Sequence, residues 1–123
     1  MSDFDKSFEL ANRLLDFTSA RARALTTNIA HATEPGYRRV DVDFDTLLKA
    51  VRAERDRGHA GAIARAEPEA TVDATAVPGK NGNSVNFELE QVQIDKNALL
   101  HQLATQVVNS KLNTLRSAIR GQA

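Results

Sequence analysis

Apolar side chains recur at alternating steps of four and three residues through the first thirty positions of the chain. The stripe consists of Phe4, Phe8, Ala11, Leu15, Thr18, Ala22, Leu25 and Ile29. This is the heptad spacing of helices that supercoil around one another, and only Thr18 interrupts its apolar character. Ser2 and Asp5 match a helix-opening capping box, and no Gly or Pro follows before Pro35. The pattern predicts a long first helix that ends near Glu34.

A second apolar stripe lies roughly 100° around the same helix. It consists of Leu10, Leu14, Phe17 and Ala24. The positions that flank the first stripe are polar but uncharged, which fits a simple two-stranded coiled coil poorly. A helix of about 30 residues is roughly 45 Å long, and with two apolar stripes it requires neighbours on more than one side. The pattern therefore favours a protein that works in an assembly.

The segment after the first helix predicts a turn followed by a short helix. Pro35 cannot continue a helix, and Pro35 with Gly36 suits the two central positions of a type II turn. Asp43 can cap the short helix. Its apolar face consists of Phe44, Leu47, Leu48 and Val51.

The middle of the chain, residues 52–80, alternates Arg, Glu, Ala and Gly and contains two prolines. Its few large aliphatic side chains predict a flexible or weakly ordered segment. Short alternating stretches favour at most one strand pair, with residues 71–77 beside residues 84–89.

A second long helix is predicted to begin near Asn86 and to run to about Ile119, with Gly121 as its stop. One side carries Leu99, Leu100, Leu103 and Val107, and a rotated face carries Ala104, Val108, Leu112, Leu115 and Ile119. We expect a mainly α fold in which residues 1–34 and 86–123 form a coiled-coil-like helical assembly domain. Residues 35–85 would supply the turn, the short helix and a flexible or weakly β middle.

Composition and charge exclude several classes of function. The 123 residues contain 16 basic and 16 acidic side chains, so no bulk charge favours nucleic acid or an anionic membrane surface. Long apolar runs and the basic start of a signal peptide are both missing from the sequence. We therefore expect neither membrane insertion nor ordinary cleaved export. Without cysteine, the chain has no thiolate nucleophile and no cysteine zinc site.

The sequence matches metal-binding and catalytic patterns only in part. Asp41, Asp43 and Asp45 alternate as in a calcium loop. That loop needs Gly and Glu where this chain has Thr46 and Arg52. The three histidines, at positions 31, 59 and 101, have no partner at helical spacing and accompany no nucleophile motif. We predict no catalytic, cofactor or metal site, and no enzyme.

Residues 28–37 read Asn-Ile-Ala-His-Ala-Thr-Glu-Pro-Gly-Tyr. They resemble the signature Asn-Ile-Ala-Asn-Ala-x-Thr-Pro-Gly-Tyr that ends the first helix of the bacterial flagellar axial proteins, with departures at His31 and Glu34. Residues 40–44, 81–86 and 117–121 extend the similarity to both ends of the chain. The resemblance implies a structural subunit of the proximal rod of the flagellar basal body, which polymerises through its terminal helices, transmits torque and forms part of the export channel.

The same resemblance implies a location and partners. The protein would pass uncleaved through the flagellar type III export apparatus and assemble as periplasmic rod. Its partners would be copies of itself, the adaptor FliE, the ring protein FliF and other rod subunits such as FlgC. Cofactors and nucleic acid play no part in this picture.

Two hypotheses remain open. In the leading one, the chain is a structural subunit whose helix packing is carried by Leu15, Leu25, Ile29, Leu99, Leu103, Leu112, Leu115 and Ile119. The chain is redirected by the turn motif Asn28, Pro35, Gly36 and Tyr37. The alternative is a soluble helical adaptor or chaperone whose stripes hold one partner helix in a groove.

Overall fold

The computed structural model describes residues 3–121, with side chains from residue 5 onward. Its elements, in chain order, are α1 (Asp3–Ala30), β1 (Val40–Val42), α2 (Asp45–Arg57), α3 (Ala62–Arg65), β2 (Ala70–Val72) and α4 (Phe87–Ile119). The prediction of a mainly α fold with two long terminal helices is confirmed. Ser2 of the predicted capping box and the side chain of Phe4 lie outside this described part.

Helices α1 and α4 pack side by side in opposite directions. Asn28, near the end of α1, bonds Glu90 in the first turns of α4. Thr18, farther back along α1, bonds His101, which lies farther along α4. The first apolar stripe of α1 faces this seam, where Leu25 is fully buried. The two ends of the chain thus supply packing to each other.

The second stripe of α1 is covered by the chain's own middle segment. Phe17 and Ala24 form a core with Val42, Leu47, Ile63 and Ala66. Leu10 and Leu14 pack against the same cluster. The sequence predicted neighbours on more than one side of this helix, and for the second stripe the neighbour is the chain's own middle segment. Strand β1, α2 and α3 bury it within a single molecule.

The predicted strand pair is wrong in its partner. Strand β2 pairs antiparallel with β1, and the register places Val40 opposite Val72 and Val42 opposite Ala70. Residues 87–89 cannot form a strand, because Asn86 caps α4 and its side-chain oxygen accepts a hydrogen bond from the Leu89 N–H, 3.2 Å away. The middle is weakly β, with two three-residue strands, and residues 52–80 also contain α3.

Helix ends follow the predicted local signals, with shifts of a few residues. Helix α1 ends at Ala30 rather than near Glu34. Helix α2 begins at Asp45 with Phe44 at its N-cap and without a side-chain cap, so the prediction that Asp43 caps it is wrong; Asp43 Oδ1 instead accepts from the Asp45 N–H across 2.8 Å, in the turn before the helix. Gly121, at φ 73°, follows the end of α4, where left-handed backbone suits glycine.

Candidate functional site

A row of exposed apolar side chains follows one flank of α4. This α4 ridge consists of Leu89, Val92, Leu99, Leu103 and Val107, all of which are between 43% and 61% exposed. The spacing of three, seven, four and four residues keeps them on one side of the helix. A continuous exposed apolar row of this kind marks a surface that another protein element covers.

The eight predicted packing residues divide between the seam and the open surface. Leu25 is fully buried, and Leu15, Ile29 and Leu112 are half-buried. The others are open to solvent to a large degree: Leu99, Leu103, Leu115 and Ile119. Leu115 borders a shallow pocket with Phe8 of α1, whereas Ile119 is 77% exposed. The structure thus brings some of these residues together inside the chain and leaves Leu99 and Leu103 to the α4 ridge.

The polar interruption of the first stripe forms a bonded cluster in the seam between α1 and α4. The Thr18 hydroxyl lies 2.7 Å from His101 Nδ1, and Asn97 Nδ2 donates to the Thr18 carbonyl across 2.9 Å. Thr18 and Asn97 are both buried. Because polar partners in an apolar seam match only in one alignment, this cluster specifies the register of α4 on α1.

The turn motif is built around Asn28, which is fully buried. Its Nδ2 donates to the Val40 carbonyl across 2.7 Å, and its Oδ1 accepts from the Val40 N–H across 2.9 Å. The Tyr37 hydroxyl donates to the same Oδ1. Burial, and then the nearby carboxylate of Glu34, raises the pKa of Tyr37 above its ordinary value. Asn28 therefore ties the end of α1 to the start of β1.

Pro35 and Gly36 form the predicted turn. The Tyr37 N–H donates to the Glu34 carbonyl across 3.3 Å, and Gly36 has φ 77°. A positive φ at the third residue is what a type II turn requires, and it favours glycine. The His31 ring stacks on Tyr37 with ring centres 4.7 Å apart. His31, one of the two residues that depart from the resembled signature, is thus part of the turn's packing.

A second loop covers this turn, and sequence reasoning did not predict the pairing. Asn83 Nδ2 lies within hydrogen-bond distance of three carbonyls at the end of α1, those of His31, Ala32 and Glu34. The Gly36 N–H donates to the Asn81 carbonyl across 2.9 Å. The Asn83 amide thus ties the covering loop to the backbone that follows α1.

A buried charge cluster lies beneath the two loops. Arg39 Nε and Nη2 donate to the two carboxylate oxygens of Glu90, whose residue is only 1% exposed. Arg39 also pairs with Asp73 at 2.6 Å and with Asp41 at 3.2 Å. The hydrogen bond that Arg39 donates to Glu90 is the main cause that raises the pKa of Arg39 above its ordinary value. Arg39 thus joins β1, the end of β2 and the first turns of α4.

Arg21 continues this network along α1. Its guanidinium donates to Asp41 across 2.9 Å and to Gln93 across 2.8 Å. Asp41 and Glu90 looked like ordinary solvated acids in the sequence. Their partners lie 20 and 51 residues away along the chain, so no local spacing indicated them.

The acids and histidines considered for chemistry are dispersed. Asp41 bonds Arg21, whereas Asp45 pairs with Lys49 across 3.0 Å. Within residues 3–121, no group of three metal-ligating side chains forms. Over the same range, no helix contains a stretch long and apolar enough to cross a membrane.

Comparison with curated proteins gives a consistent set of relatives. The chain is 29% identical to the flagellar basal body rod protein FlgB of Aeromonas hydrophila, over 97% of this chain and 96% of that protein. It is 29% identical to the protein of the same name from Salmonella typhimurium, over 95% of each chain, and 27% identical to that of Aquifex aeolicus, over 98% of each. No family model matches the sequence.

Proposed function

Because this chain belongs to the family of flagellar basal body rod proteins named FlgB, we propose that it polymerises through its terminal helices as a structural subunit of the proximal rod. In that position it transmits torque and contributes to the wall of the export channel. The observation that carries the proposal is the α4 ridge, which stays exposed although α4 packs along α1.

The ridge supports assembly through the energy that its burial supplies. Fully burying a leucine contributes about 1.5 to 3 kcal/mol, so covering a half-exposed one adds about 1 kcal/mol. Leu99 and Leu103 are 58% and 51% exposed, and three further side chains lie in the same row. Contact with a neighbouring subunit therefore gains several such increments at once.

The buried charge cluster and the turn support the mechanical part of the proposal. Arg39 and Glu90 hold the middle segment on α4, while Asn28 and Asn83 hold the two loops on the end of α1. These contacts fix the middle segment relative to the helix pair. We propose that residues 1–34 with 86–123 serve as the assembling part and residues 35–85 as a segment braced on it.

Partners and route follow from the same proposal. The chain assembles with other copies and with rod subunits such as FlgC, and it contacts the adaptor FliE and the ring protein FliF. It leaves the cell through the flagellar export apparatus without cleavage and functions in the periplasmic rod. Its role is structural, without a reaction and without a cofactor.

The test is complementation of a strain that lacks the gene for this protein. Leu103→Asp places a carboxylate in the middle of the α4 ridge, where an assembled neighbour would leave it desolvated and unpaired. We expect loss of motility and loss of the protein from isolated basal bodies. The matched control is Asn109→Asp, an exposed position of α4 outside the ridge.

Stability of the purified variants separates assembly from folding. Since Leu103 is half exposed in the isolated chain, its replacement should leave the free energy of unfolding close to that of the wild type. Wild-type swimming by Leu103→Asp would contradict the proposal. Loss of swimming with a folded protein supports it.

A further inference from the structure

A groove runs between α1 and α4 on the flank opposite the α4 ridge. Its walls are small or short side chains: Ser19, Ala22 and Thr26 from α1, with Ile94 and Ala98 from α4. Ala22 and Ala98 are exposed, so the groove is open to solvent. Small residues in such a row let the side chains of another helix approach closely.

The floor of the groove contains an incomplete hydrogen-bonding group. Asn97 lines the groove and is 3% exposed, and its Nδ2 is bonded to Thr18. Its Oδ1 is buried without a partner among the described residues. Buried polar atoms are nearly always bonded, so the floor of the groove has one acceptor to offer to a chain that enters it.

The ridge and the groove lie on opposite sides of one helix. At roughly 100° per residue, Leu103 lies about 180° around α4 from Ile94. In a dimer with two-fold symmetry, both copies use the same surface patch. A ridge and a groove on opposite sides of α4 cannot contact each other in such a dimer. They can meet only when the ridge of one copy enters the groove of the next, which is a head-to-tail contact that repeats.

We propose that the groove between α1 and α4 is the docking site for the α4 ridge of a second copy of this chain. The inference rests on the proposed rod function and names the two surfaces through which copies add to one another. Each copy then offers one ridge and one groove, so that the contact propagates along a row of subunits.

Charge at the two surfaces favours this occupant. Lys96 lies on the ridge between Val92 and Leu99, and Asp95 is an exposed acid one helical turn before Ala98 of the groove. Among the described residues, Asp95 accepts a hydrogen bond from Gln91, and neither Asp95 nor Lys96 forms an ion pair. When the ridge of one copy enters the groove of the next, the positive charge of Lys96 on the first copy approaches the negative charge of Asp95 on the second.

The experiment uses two purified full-length variants, each blocked at one surface. Leu103→Asp blocks the ridge, and Ala98→Arg blocks the groove. Self-association of each chain is measured by sedimentation over a concentration series, with Thr46→Asp, at an exposed position of α2, as a control. We expect the wild type to form oligomers larger than dimers. Each blocked variant should raise the dissociation constant roughly tenfold or more.

Mixing the two variants tests the head-to-tail geometry directly. Leu103→Asp keeps a free groove and Ala98→Arg keeps a free ridge, so a one-to-one mixture should form a heterodimer and stop there. Mixtures that stay monomeric, or variants that associate as the wild type does, would overturn the proposal. Circular dichroism of both variants shows whether each is folded.

Two further outcomes are decisive. A wild-type chain that is monomeric at every concentration reached would overturn a second copy as the occupant. If Ala98→Arg then still abolished motility, the groove would bind a different rod subunit, and the proposed function would be untouched. A charge exchange combining Asp95→Lys with Lys96→Glu should restore association that each single change weakens, whereas no restoration would count against the alignment of the two surfaces.

Discussion

The side-chain amide of Asn28 bonds Val40 as a neighbouring strand would, donating to its carbonyl across 2.7 Å and accepting from its N–H across 2.9 Å. Asn28 is fully buried and also bonds Glu90 and Tyr37. One residue of α1 therefore satisfies the backbone at the start of β1 and touches the charge cluster. This side chain ties the turn that follows α1 to the start of β1.

Asn28→Ala should therefore be strongly destabilising. The change leaves the N–H and carbonyl of Val40 without those partners, and each buried unsatisfied group costs about 1 to 3 kcal/mol. We expect the free energy of unfolding in urea to fall by about 2 to 4 kcal/mol. Thr27→Ala, at the neighbouring exposed position, is the control and should change it by less than about 0.5 kcal/mol. If both changes lowered the free energy of unfolding equally, the hydrogen bonds from Asn28 to Val40 would not stabilise the fold.

The buried pair of Arg39 and Glu90 should behave as a coupled unit. Arg39→Met leaves the Glu90 carboxylate buried without its cation, which costs about 3 to 5 kcal/mol. The double variant Arg39→Met with Glu90→Gln has no unpaired buried carboxylate. Its free energy of unfolding should therefore fall by less than the sum of the decreases in the two single variants. Urea unfolding of all four proteins measures the coupling. If the two decreases in unfolding free energy simply added in the double variant, Arg39 and Glu90 would not be energetically coupled.

The exposed pair of Arg55 and Asp56 supplies the matched comparison. Its side chains are 2.9 Å apart but lie on the solvent side of α2. Replacing either one should leave stability nearly unchanged, since exposed ion pairs contribute little. A large loss at this pair would show that burial is not the feature that matters at Arg39.

Asn83→Ala should loosen the turn without unfolding the helix pair. The amide of Asn83 donates to the carbonyls of His31 and Glu34 in the turn after α1 and holds the covering loop on the turn. We expect hydrogen exchange to accelerate at Gly36, whose N–H bonds the same loop, while the amides in the middle of α1 keep their protection. Unchanged exchange at Gly36 would contradict the role of Asn83. Asn109→Ala, on the exposed side of α4, is the control.

Acid should weaken the attachment of β2 through Asp73. The hydrogen bond from the Thr75 hydroxyl, together with Arg39, lowers the pKa of Asp73 from its ordinary value of 3.8. A lowered pKa in the folded state stabilises the protein above pH 4 or so, and this contribution is lost as the pH falls through the folded value. The difference in unfolding free energy between wild type and Asp73→Asn should therefore be larger at pH 7 than at pH 3. A constant difference would exclude this linkage.

The sequence predicted the features that depend on local pattern. Heptad spacing located α1, and the start near Asn86 and the stop at Gly121 located both ends of α4, because such signals act within one or two turns. The Pro35 and Gly36 turn was predicted for the same reason. Each of these rests on residues close together in the chain.

The features that were missed depend on contacts between distant segments. Ile63 and Ala66 are buried in the core, although their segment has no apolar periodicity. Arg39 and Glu90 are charged residues of the kind that sequence patterns place in solvent, and only the fold brings them together. The same holds for Asn83, whose motif was noticed but whose partner, the turn after α1, was not.

Thiol labelling measures directly whether a neighbouring subunit covers the α4 ridge in the assembled rod. The chain contains no cysteine, so Leu103→Cys introduces a single thiol on the ridge. Maleimide labelling is followed in the purified protein and in isolated basal bodies, with denatured samples to fix the total thiol. We predict rapid maleimide labelling of the purified protein and strong protection of the thiol in basal bodies. Equal labelling rates in the two would contradict this prediction.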